Sequence, residues 1–111
     1  MQVGIAIKRL RKKLNISQCY LAEKTRISQT SLSQIETGLK TPRKGTLKRI
    51  CDVLGVPQAL LYIIALDEND VPLSKRAKYK LIFPSVISLV MEIIEDSAEE
   101  TKVLPRLHKY I

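Results

Sequence analysis

The sequence predicts an all-α protein. Apolar residues recur three and four positions apart along most of the chain. No run shows the strict alternation of a half-buried strand. Serines and glycines stand where helix starts and stops are wanted. With 111 residues, 45% of them apolar, the chain fits one domain, or a small domain with an appendage, around a modest core.

The elements follow in order. Over 3–14, Val3, Ile7, Leu10 and Leu14 share one helical face, and Lys8, Arg9, Arg11, Lys12 and Lys13 occupy the others. Asn15 and Ile16 break this helix, and Ser17 is placed to cap a second one over 18–25, with Leu21 and Ala22 inward. Arg26 and Ile27 make a turn. Ser28 caps a third helix that reaches about residue 37, with Leu32, Ile35 and Leu39 toward the core and Gly38 at its end. Residues 40–45 are a basic loop. A fourth helix over 46–54 turns Leu47, Ile50, Cys51 and Leu54 to one side, and Gly55 stops it. Pro57 opens a fifth helix as a first-turn proline, with 59–66 following.

Beyond this the character changes. Residues 67–73 start with Asp67, Glu68 and Asp70 and read as an acidic linker. A short basic helix over 75–81, capped by Ser74, and a separate apolar helix over 84–95 come next, then a polar tail over 97–111. The β-branched run 86–94 has some strand character, but Met91-Glu92 and the 86, 89/90, 93 spacing favour helix. The expected organisation is a compact unit over 1–66, the linker 67–73 and a helical segment 74–111.

Charge divides the chain in the same place. Residues 1–66 hold 12 Lys and Arg against 3 Asp and Glu; residues 67–111 hold 7 against 8. All of the net +8 therefore lies in the first part. That asymmetry suits a polyanion binder with a differently employed tail, or a solvated surface kept for solubility. Few aromatics argue against a stacking platform for single strands.

Enzymatic chemistry has no support. There is no nucleophile–base pair, no phosphate-binding glycine loop, and only one histidine, His108, in the tail. Cys19 and Cys51 lie far apart without a nearby histidine, so neither a metal site nor a cofactor is implied. Both cysteines take positions where a helix wants a small apolar residue, which predicts buried free thiols in a reducing cytosol. No secretory signal is visible, and the apolar run near 81–94 contains Pro84 and falls short of the ~20 residues that span a bilayer. A cytoplasmic location is expected.

The stretch Ser17 to Gly38 carries the functional signal. It forms two short helices around a tight turn, and the second has a side made almost wholly of Gln, Ser and Thr. Such side chains suit hydrogen bonding to base edges in a DNA major groove. The surrounding pattern, SQxxLAxKxxIS…LSxIExGxxxP…LxRIxxxLGV, resembles the Cro/cI-type (XRE-like, lambda-repressor-like) helix-turn-helix family over about residues 5–66.

The resemblance implies a five-helix DNA-binding domain, bacterial or phage-encoded, with the 28–37 helix in the major groove of double-stranded DNA. Carried over by position, Gln29, Thr30, Ser33 and Gln34 are the base contacts. Ser17, Gln18, Ser28, Ser31, Lys40, Arg43 and Lys44 are the phosphate contacts, and Arg11 with Glu36 matches a salt bridge beside the DNA. One departure is Arg26, where the family often has glycine; a positive φ there costs about 1–2 kcal/mol. Cys19 and Tyr20 are also unusual choices, and Tyr20 should be exposed.

One reading helix covers few base pairs, so a dimeric repressor on a palindromic operator is the expected function. Val86, Ile87, Val90, Ile93 and Ile94 are the candidate homodimer contacts. Two other roles stay open for that segment: a sixth helix folded onto its own domain, or a site for a protein or small ligand. The competing function is an antitoxin or accessory subunit that holds a protein partner through residues 67–111.

Overall fold

The computed structural model describes residues 1–99, and all regular structure there is helical. The expected polar tail, with His108, lies outside the described residues from position 100 onward. Six α-helices follow in order: α1 Val3–Lys13, α2 Gln18–Thr25, α3 Gln29–Glu36, α4 Lys44–Leu54, α5 Gln58–Ala65 and α6 Arg76–Glu99.

Local chemistry sets most boundaries. Ser17 Oγ accepts the backbone N–H of Tyr20 at the start of α2, and Ser28 Oγ accepts that of Ser31 at the start of α3, each at 3.0 Å. Each serine thereby satisfies one of the donors that a helix start leaves open. Three helices end alike. Asn15, Arg26 and Gly55 take left-handed φ of 57°, 61° and 70°. The apolar residue that follows each (Ile16, Ile27, Val56) then returns its N–H to the carbonyl five positions earlier. Arg26 thus pays the strain its position implied.

Some boundaries moved. The fourth helix starts two residues earlier than expected, at Lys44. Pro57 is the residue before α5 rather than part of its first turn, with extended backbone at ψ 143°. Leu39 is 82% exposed instead of facing the core, because Gly38, at φ 84°, swings the chain away after α3.

The core is built from all five short helices. Ile7, Leu10, Leu21, Leu32, Ile50 and Leu61 are fully buried, each worth about 1.5–3 kcal/mol relative to exposure. Gly4 makes a different contribution. A Cβ there would lie 1.8 Å from the carbonyl oxygen of Ile35, so only glycine lets α1 lie on the last turn of α3. Thr25 is wholly buried, its hydroxyl donating to Leu21 O at 2.6 Å. Arg49 Nε donates to Thr25 O at 2.9 Å, which ties α4 to the end of α2.

The acidic stretch is folded rather than extended. Glu68–Asp70 and Leu73–Lys75 form 3-10 turns. Asp67 and Asp70 close a capping box around the first, and the Met1 amine donates to Asp70 Oδ1 at 2.9 Å. Tyr79 Oη donates to Leu66 O and Arg76 Nε to Val71 O, both at 3.0 Å, fastening the start of α6.

Two expected helices prove to be one. α6 runs unbroken through Pro84, and no Ser74 side-chain cap precedes it. Proline removes one helical hydrogen bond. Packing on both sides of it outweighs that loss. Phe83 lies before the proline and Ile87, Val90, Met91 and Ile94 after it, and all belong to the core cluster or pack against it. Ile87, Val90 and Ile94, three of the candidate dimer contacts, are therefore spent inside the chain's own core. Val86 is half-buried and Ile93 exposed.

Candidate nucleic-acid interface

An exposed polar surface is assembled from α2 and α3. Helix α3 buries Leu32, Ile35 and Glu36 and turns its remaining side chains outward. Gln29, Thr30, Ser33 and Gln34 come together with Gln18 of α2 around one shallow depression. Gln29, Thr30 and Gln34 are exposed; Ser33 and Gln18 are half-buried. No acidic side chain lines this depression, so a polyanion meets only amides and hydroxyls there.

Beneath it runs a relay of polar contacts. Arg11 Nε and a terminal guanidinium nitrogen donate to the two carboxylate oxygens of Glu36, at 2.7 and 3.0 Å. The other terminal nitrogen donates to Ile16 O at 2.9 Å. This fork-to-fork geometry matches the planar guanidinium to the carboxylate. Glu36 is only 2% exposed, so its charge depends on that partner. The relay continues outward: Gln18 Nε2 donates to Glu36 Oε1 at 3.1 Å, and Gln29 Nε2 donates to Gln18 Oε1 at 3.4 Å. A chain of contacts thereby runs from the buried ion pair, through one amide, to the first side chain of α3.

The last contact has a chemical consequence. With one N–H of Gln29 donated to Gln18, its second N–H and its Oε1 have no side-chain partner among the described residues. A donor and an acceptor side by side are what the major-groove edge of adenine takes up. Gln18 in turn keeps one N–H for another acceptor.

The basic groups lie on the far side of α3. A second crevice, between α3 and the 40–46 segment, is lined by Ile27, Ser31, Ile35, Lys40, Arg43 and Thr46, among others. Lys40 Nζ donates to Ser31 Oγ at 2.9 Å. Arg43 and Lys44 are exposed at the start of α4. Ser17 and Ser28 are exposed at helix starts, with hydroxyls already engaged in capping. Tyr20 is exposed as expected, with Lys24 Nζ 5.6 Å from its ring centre.

Three features escaped sequence reasoning. The role of Gln18 as a link between Glu36 and Gln29 follows only from how α1, α2 and α3 meet. The Arg49–Thr25 contact spans 24 positions and has no local signature. Cys19, expected to be buried, is exposed, because Leu21 and Ala22 fill the inward side of α2. Cys51 is buried as expected, and burial pushes its thiol pKa up.

Among the described residues, no His, Cys, Asp and Glu group could hold a metal ion, and no helix is long and apolar enough to cross a membrane. No curated protein and no solved structure matches the chain. The helix-turn-helix family model matches residues 7–59, from the middle of α1 into α5. That segment contains α2, the turn and α3 whole, with the relay beneath them. Over that segment the sequence matches the Cro/cI-type helix-turn-helix family, and the match supports a DNA-binding transcription regulator in general.

Proposed function

We propose that the protein is a sequence-specific dimeric repressor that lays α3 in the major groove of a palindromic operator. Gln29, Thr30, Ser33 and Gln34 read base edges. Ser17, Gln18, Ser28, Ser31, Lys40, Arg43 and Lys44 hold the flanking phosphates, which fix position without reading sequence. The domain over 1–66 does the reading, the 67–73 stretch joins it to 74–111, and the protein works in the cytoplasm where operator DNA is found.

The observation that carries this reading is the convergence of Gln18, Gln29, Thr30, Ser33 and Gln34 on one exposed, acid-free surface above a buried, fully bonded ion pair. A surface needed only for solubility has no use for an amide held in place through two further side chains. Binding-site selection on random duplexes tests it. The expected result is an enriched inverted repeat whose affinity falls steeply with salt, as counterion release requires. Gln29→Ala should cost about 1–3 kcal/mol and relax the preference at one base position. No enriched motif, or unchanged affinity in Gln29→Ala, overturns the reading.

A further inference from the structure

An open apolar groove of about 450 Å³ lies where the start of α6 meets the 71–75 stretch. Val71, Tyr79, Ile82, Phe83 and Val86 line it, with Lys75 and Lys78 as its charged groups. None of them belongs to the depression formed by α2 and α3. The volume falls within the range of small-molecule sites, about 300–1,000 Å³. Its few lining residues fall well short of the ~20–30 that each side of a stable protein interface supplies.

The apolar wall is already built. Tyr79 and Phe83 stack with ring centres 4.5 Å apart, and the Tyr79 hydroxyl is held by Leu66 O. Rings fixed in this way need no ordering when a ligand arrives, which lowers the entropic cost of binding. Ile82, 55% exposed, adds an aliphatic side chain beside them. From Lys78 to Val86 the helix rises about 12 Å, close to the length of an extended medium-chain acyl group.

Charge selects the other end of the ligand. Among the described residues, no acid lines the groove, and Lys75 and Lys78 make no ion pair or side-chain hydrogen bond. The acids near Tyr79 are engaged elsewhere. Asp67 and Asp70 lie 3.5 and 2.9 Å from the Met1 amine, and Glu68 lies 2.8 Å from Lys80 Nζ. Two uncompensated ammonium groups beside an apolar wall complement one carboxylate on an apolar body. A neutral apolar molecule leaves both cations unanswered, and an inorganic anion leaves the wall in water.

From this groove we propose that the protein binds a free medium-chain carboxylate, with the chain against Tyr79, Ile82, Phe83 and Val86 and the carboxylate between Lys75 and Lys78. Such binding goes beyond the operator reading and needs no DNA.

Titration of the full chain with octanoate at neutral pH, followed by NMR of the backbone amides, tests it. Octanoate should give saturable shifts confined to residues 71–86. 1-Octanol, of the same length without the charge, should bind about 10-fold more weakly. K75E/K78E should lose that preference, with octanoate weakened about 10-fold and 1-octanol unchanged. K8E/K12E makes the same change of net charge at residues that do not line the groove, and should bind octanoate as the parent does. Ile82→Glu should weaken both ligands. Unchanged circular dichroism would show that the fold persists in each variant, as expected for exposed positions.

No saturable shift at millimolar octanoate overturns the proposal. So does equal affinity for octanoate and 1-octanol, or unchanged octanoate binding by K75E/K78E. Binding to vesicles of anionic phospholipid without any response to octanoate also overturns it, in favour of a lipid surface. Selection of DNA sites, run in parallel, separates this from the operator reading. If octanoate binds but no motif is enriched, the ligand site stands and the operator reading fails. If a motif is enriched and octanoate does not bind, the DNA reading stands and this one fails.

Discussion

Replacing Arg11 by Met and Glu36 by Leu, singly and together, separates what the buried ion pair does for folding from what it does for reading. Arg11→Met leaves a carboxylate that is 2% exposed with Gln18 as its one remaining side-chain partner, and it removes the donor to Ile16 O. Glu36→Leu leaves a guanidinium in a similar position, since Arg11 is itself buried. Orphaning one member of a buried pair costs about 3–5 kcal/mol. For a domain of this size that lowers Tm by more than about 10 °C. The double replacement exchanges two charges for packed apolar volume, which is near neutral or mildly stabilising. Thermal denaturation should therefore show strong non-additivity: two unstable single variants and a double variant within about 1 kcal/mol of the parent.

Operator affinity should behave differently. In the double variant Gln18 loses its acceptor on Glu36, and Gln29 loses the fixed amide that orients it. Loss of one ordered hydrogen bond at a base contact weakens binding by about 1 kcal/mol, roughly five-fold, even though the fold is restored. Stability recovered with affinity still reduced is the expected pair of results. Singles that destabilise additively refute the coupling of Arg11 to Glu36. A double variant that binds its operator as tightly as the parent refutes the claim that the relay positions Gln29.

Three further outcomes are expected. Gly4→Ala should destabilise by about 2 kcal/mol, because the new Cβ meets the Ile35 carbonyl at 1.8 Å and backbone yields little. Gly45→Ala, whose nearest neighbour is the flexible end of Arg49 at 3.7 Å, should stabilise by up to about 1 kcal/mol; urea titration of both variants checks the opposite signs. Arg26→Gly should raise Tm by a few degrees, since it relieves a left-handed φ of 61° worth about 1 kcal/mol, and an unchanged or lower Tm contradicts that. Acid should loosen the start of α6. The N–H of Asp67, then the Met1 amine, hold Asp70 below its ordinary range, and the hydrogen bond from Lys80 lowers Glu68. Carboxylates lowered on folding contribute stability above their unfolded values and lose it as pH falls through the folded ones. The difference in tyrosine fluorescence between the parent and Tyr79→Phe should therefore change below about pH 4 and be flat from there to about pH 7.

What the sequence made legible was local. Ser17 and Ser28 announce α2 and α3 because a cap involves residues three apart, and the apolar spacing of α1 and α4 needs no distant partner to be seen. The fold class, the family and the polar side of α3 follow from such signals. What stayed hidden depends on where elements meet. Pro84 looked like a helix start because the packing that carries α6 through it comes from the rest of the domain. Gly4 is an ordinary helix residue until α3 is laid against it. Cys19 and Leu39 were assigned inward by pattern, yet neighbours better placed filled the space. The apolar excess of 86–94 was visible, but which of those residues enter the core required the fold.

Helix α3 keeps two separate vocabularies on eight residues. Leu32, Ile35 and Glu36 are addressed to the protein, while Thr30, Ser33 and Gln34 make no side-chain hydrogen bond among the described residues and Gln29 only a long one. A change of operator can therefore be followed by changing the second set, with no need to solve the folding problem again. Gln29 is the costliest letter to replace, since its orientation is underwritten by Gln18 and Glu36. Under the proposed base contacts, the outward set could change which DNA is preferred while the inward set keeps the shape.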